Sequence, residues 1–66
     1  MSSVGEEFPK EQARVRELLS AYKSIGPQGA FGAMMIGQVL ARAEKAAISG
    51  NLPNIIRAYE ELKGCE

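Results

Sequence analysis

Apolar and polar positions alternate along this chain with the period of a helix, three times over. Val15, Leu18, Leu19, Tyr22 and Ile25 fall at i, i+3, i+4, i+7 and i+10, which gathers them into one stripe. That spacing predicts a first helix over about 9–24. Phe8-Pro9 suits its start, because proline's missing N–H costs nothing at the first helical position. Glu6, Glu7 and Glu11 lie where the helix dipole favours negative charge.

Gly26-Pro27-Gln28-Gly29 then breaks the pattern, and a second helix is predicted over 30–49, with Gly50 as its left-handed C-terminal cap. At 100° per residue, Ala33, Ile36, Leu40, Ala43 and Ala47 share one face, and Gln38, Arg42, Lys45 and Ser49 share the opposite one. Gly29, Ala33, Gly37 and Ala41 recur every four residues, a ridge of small side chains suited to close packing within the monomer. Asn51 and Pro53 suit the opening of a third helix over 52–63, whose stripe is Leu52, Ile55, Ile56, Tyr59 and Leu62, with Gly64 ending it.

No segment alternates with the period of a strand. The fold class is therefore all-α: a small three-helix bundle, the central helix flanked by two amphipathic ones. Leu18, Leu19, Tyr22, Ile36, Leu40, Ala43, Ile55, Tyr59 and Leu62 are the expected core. Residues 1–8 read as a flexible N-terminal tail, 9–64 as the three-helix domain and 65–66 as a C-terminal tail.

Composition narrows the chemistry. The chain has 66 residues, one cysteine and no histidine. A domain of this size buries only about 60% of its unfolded surface. Disulfide and zinc staples are excluded, which turns attention to self-association. Without histidine the commonest general acid–base is missing. Cys65, beside Glu66, reads as an incidental exposed thiol, and the sequence-adjacent pairs Glu6-Glu7 and Glu60-Glu61 do not face each other on a helix. The reading is a non-enzyme without cofactor or metal. No apolar run reaches the length of a membrane span, and the polar, acidic start lacks the form of a secretory signal, so a cytoplasmic protein is expected.

Net charge is zero but unevenly spread: residues 1–11 and 58–66 each carry −2, and the stretch between carries +4. The glycine-rich segment from Gly26 to Gly32 lacks the Gly-Lys-Ser/Thr of a phosphate-binding loop. Ile25-Gly26-Pro27, followed by Ala30 and Ala33, resembles the helix-hairpin-helix family, with Ser24 where that family usually has glycine. The resemblance covers about twelve residues. It implies non-specific contact with nucleic-acid phosphates, with Lys23, Gly26 and Gly29 as the contact candidates. The segments 36–44 and 56–62, rich in helix formers, faintly resemble small helical proteins encoded by phages and prophages, which implies an accessory or regulatory role and no site residues.

One element is out of place. The polar face of the second helix, extended toward its start, reaches Met35 and then Phe31. Large apolar side chains on a solvent face suggest a contact surface, unless the first helix or Phe8 folds over them. The leading expectation is a non-catalytic binding or adaptor module that meets a protein partner or a second copy of itself, a homodimer, through Phe31 and Met35. The alternative is the helix-hairpin-helix-like nucleic-acid binder.

Overall fold

A computed structural model describes residues 3–66. It holds three α-helices: α1 (Val4–Ile25), α2 (Ala30–Ser49) and α3 (Leu52–Lys63), with one 3₁₀ turn, Pro27–Gly29, between the first two. No strand occurs among the described residues. Each helix packs on both of the others, so α1 and α3 also meet and do not merely flank a central helix.

The first helix begins five residues earlier than Pro9. Ser3 adopts the extended N-cap conformation, and its Oγ accepts the Glu6 N–H at 3.3 Å. Glu6 and Glu7 occupy the first turn. Ser3-Val4-Gly5-Glu6 has the spacing of a capping box, and this signal outweighs the cost of Pro9 inside the helix. The expected flexible tail therefore has to be corrected. Residues 4–8 are helical, and Phe8 is buried in the core because the added turn carries it over the other helices. Met1 and Ser2 of that tail lie outside the described residues.

The 30–49 and 52–63 boundaries match the sequence reading, for the reasons anticipated. Gly50 takes φ 67°, a left-handed conformation that glycine adopts without a Cβ clash. The Asn51 side chain then accepts the Asn54 N–H at 3.1 Å, capping α3, with Pro53 in its first turn.

The core consists of Phe8, Val15, Ile36, Ala43, Ala46, Ala58 and Leu62, with Val15 and Leu62 fully enclosed. Leu18, Leu19, Tyr22, Leu40, Ile55 and Tyr59 pack against it as half-buried residues. The packed face of α2 is rotated from the expected one: Ala46 is buried and Ala47 exposed, because α3 approaches from the Ala46 side. Ile25, Leu52 and Ile56, expected on packing stripes, are exposed at the helix ends and edges.

The close approach also differs from the four-residue ridge. It is Gly29 and Gly32, three apart, that admit α1. A Cβ on Gly29 would collide with the Tyr22 carbonyl, and one on Gly32 would sit 2.5 Å from Cδ2 and Cε2 of the Tyr22 ring. Gly37 faces open space, since a four-residue repeat drifts about 40° per step around an α-helix and leaves the contact line.

Candidate protein-binding site

The N-terminal half of α2 is an extension beyond α3. The two helices run antiparallel across the Gly50-Asn51 turn, and Arg42 stands level with Glu61. With 20 residues in α2 and 12 in α3, about 12 Å of α2 projects past the end of its neighbour. Phe31 and Met35 occupy this projecting part and are 71% and 44% exposed, with Met34 beside them at 50%. Neither the first helix nor Phe8 covers them, and Ile25 adds an exposed apolar side chain at the adjoining end of α1.

This end packs on α1 from below. The Tyr22 ring lies on Gly32, and its hydroxyl donates to the Glu66 carbonyl at 2.6 Å. Arg14 donates from Nη2 to the Leu62 carbonyl at 2.9 Å and from Nη1 to the Cys65 carbonyl at 3.1 Å. Residues 65–66, expected as a tail, are thus tied to α1 by Tyr22 and Arg14, about one and three turns from its C-terminal end. Cys65 is half-buried, not an exposed thiol, with its Sγ 3.6 Å from the Glu61 carbonyl. Burial raises its pKa, with Arg14 pulling the other way.

The glycine turn is occupied with itself. Gly26 takes φ 92°, which links α1 to the 3₁₀ turn. Its N–H donates to the Lys23 carbonyl at 3.1 Å, and the Gly29 N–H donates to the Gly26 carbonyl at 2.9 Å. Gly29 is buried. Of the three phosphate-contact candidates, two have their amides engaged within the turn, and Lys23 alone is exposed.

The C-terminal half of α2 and the facing side of α3 form a groove of about 370 Å³ that sequence reasoning did not anticipate. Its floor is Ala46 and Ala58, small enough to leave a trough between two packed helices. Its walls carry Arg42 and Lys45 from α2 and Arg57 and Glu61 from α3. Arg42 donates to the Glu61 carboxylate through Nε at 3.3 Å and Nη2 at 3.2 Å. The +4 bias of the middle of the chain was its one trace in the sequence; which cations share a wall depends on how α2 and α3 pair.

Among the described residues, no group of three or more histidine, cysteine or carboxylate side chains could hold a metal ion, and no helix is long and apolar enough to cross a membrane. Comparison with protein-family models, with curated proteins and with solved structures found no match. The fold and the surface define a three-helix bundle with an exposed apolar patch on the part of α2 that extends past α3.

Proposed function

We propose that this chain is a small, non-catalytic protein-binding module of adaptor or regulatory type, and that Phe31, Met34 and Met35 are its contact side chains. One observation carries the reading: three large, adjacent apolar side chains stand exposed on a helix segment whose backbone is pinned by the Tyr22–Gly32 contact. Aromatic residues and methionine are enriched in interface cores, and a pre-ordered surface loses little entropy on binding. The occupant is another protein or a second copy; in the second case a two-fold axis brings the same patch together from both chains.

Sedimentation of the wild type against a Phe31→Ser, Met35→Ser double variant separates these occupants. A homodimer predicts a concentration-dependent wild type and a monomeric variant. If both are monomers with equal melting temperatures at every concentration, self-association is ruled out and the surface is left for a different protein.

A further inference from the structure

We infer that the partner of this surface is an acidic peptide segment with an apolar anchor, lying along α2 from Phe31 to the cationic groove. The inference rests on the proposed binding role of Phe31 and Met35 and adds the chemistry of what they bind. Its basis is charge complementarity. The groove walls carry three cations and one carboxylate in a chain whose net charge is zero. Glu61 engages Arg42 alone. Lys45 and Arg57 face the same trough with no carboxylate in ion-pairing reach among the described residues.

The groove and the apolar end are one continuous surface. On α2, Phe31, Met35, Gln38, Arg42, Lys45 and Ser49 follow one another by three or four residues and so share a single line. That line is about 27 Å long, the reach of roughly eight extended residues. A segment laid on it would seat an apolar side chain among Phe31, Met34 and Met35. Its carboxylates would then fall beside Lys45 and Arg57. Apolar anchoring would supply affinity, and charge pairing would set register and partner choice. The alanine floor leaves room for the backbone to approach.

A peptide fits better than a nucleic acid. Glu61 on the wall repels a continuous phosphate backbone, and no broad basic footprint surrounds the groove. The Phe31 and Met35 end of the line is apolar and offers phosphates nothing.

The test is an NMR titration of the full chain with three probes: a random copolymer of glutamate and tyrosine, polyglutamate, and a single-stranded oligothymidine of matched charge. The copolymer should shift amides over 31–49 and 54–61 and bind more tightly than polyglutamate. A Lys45→Glu, Arg57→Glu variant should keep its melting temperature, since both side chains are exposed, and lose roughly tenfold or more in copolymer affinity. The Phe31→Ser, Met35→Ser variant should lose a similar factor. Unchanged binding by the charge-reversed variant would overturn the inference. If the Phe31, Met35 variant still weakened binding, the protein-binding reading would survive that failure. Loss in neither variant would sink both. Shifts from oligothymidine equal to or larger than those from the copolymer would assign the groove to nucleic acid instead, and no shifts from the copolymer at millimolar concentration would also overturn the inference.

Discussion

Arg14 closes the end of α3: its guanidinium spans the Leu62 and Cys65 carbonyls, donating to them at 2.9 and 3.1 Å, while its Nε meets Glu11 at 2.9 Å on its own helix. The last carbonyls of a helix have no partner within it; the Leu62 carbonyl accepts the Cys65 N–H at 3.1 Å, and a side chain 48 residues away supplies it with a second donor. Replacing Arg14 with methionine keeps the aliphatic stem and removes the fork. The side chain is partly exposed, so the expected loss is about 1–2 kcal/mol. Arg14→Lys should recover less than half of it, because an ammonium cannot span two carbonyls in fixed geometry. Urea unfolding of the three proteins checks this, and equal midpoints would show that water caps the end equally well.

Leu62 is fully enclosed and Leu40 is not, although both were expected in the core. Leu62→Ala should therefore cost about 2–5 kcal/mol, among the largest effects of any truncation in the chain. Leu40→Ala should cost clearly less. Unfolding free energies in reversed order would mean that α3 packs in a different rotation about its axis.

This contrast marks how far periodicity could be followed. The junction of α2 and α3 was legible because Gly50, Asn51 and Pro53 each have a conformational preference that acts locally. The start of α1 was misplaced because Phe8-Pro9 looks like a helix opening, while Ser3-x-x-Glu6 carries the stronger capping signal. The phase of Phe31 and Met35 relative to Gln38, Arg42 and Lys45 put them on the polar face of α2 but left open whether α1 or Phe8 covers them, which the packing of the helices decides. The Arg14 clamp and the Arg57 wall of the groove join residues distant in sequence, and no local pattern encodes such pairings.

Cys65 gives a pH signature. Burial raises the folded-state pKa of its thiol above the ordinary value. A raised acid binds its proton more tightly in the folded state, so its contribution is fully present below the unfolded pKa and is lost as pH rises through the folded one. The melting temperature should fall above about pH 9. Cys65→Ala should remove this part of the decline, leaving the part due to other groups. Parallel profiles for the two proteins between neutral pH and pH 10 would show that the thiol titrates equally easily in both states.

Gly32 and Gly37 are both inside α2, and replacing either with alanine has the same intrinsic effect on the helix, a gain of about 0.5–1 kcal/mol. Their surroundings decide the outcome. At Gly37 nothing lies within 4 Å of the new Cβ, so Gly37→Ala should stabilise the protein by about that gain. At Gly32 the Cβ would stand 2.5 Å from two carbons of the Tyr22 ring. The ring cannot retreat freely, because its hydroxyl is bonded to the Glu66 carbonyl, and moving it breaks that bond. Gly32→Ala should therefore destabilise by about 1–3 kcal/mol, the usual cost of overpacking. Adding Tyr22→Leu to Gly32→Ala removes both the rigid ring and its hydroxyl bond, so the two changes together should cost less than the sum of each alone. A double-mutant cycle by thermal unfolding measures the coupling. Strict additivity would mean that the Tyr22 ring does not rest on Gly32, and with it would go the claim that the Phe31 end of α2 is pinned from below.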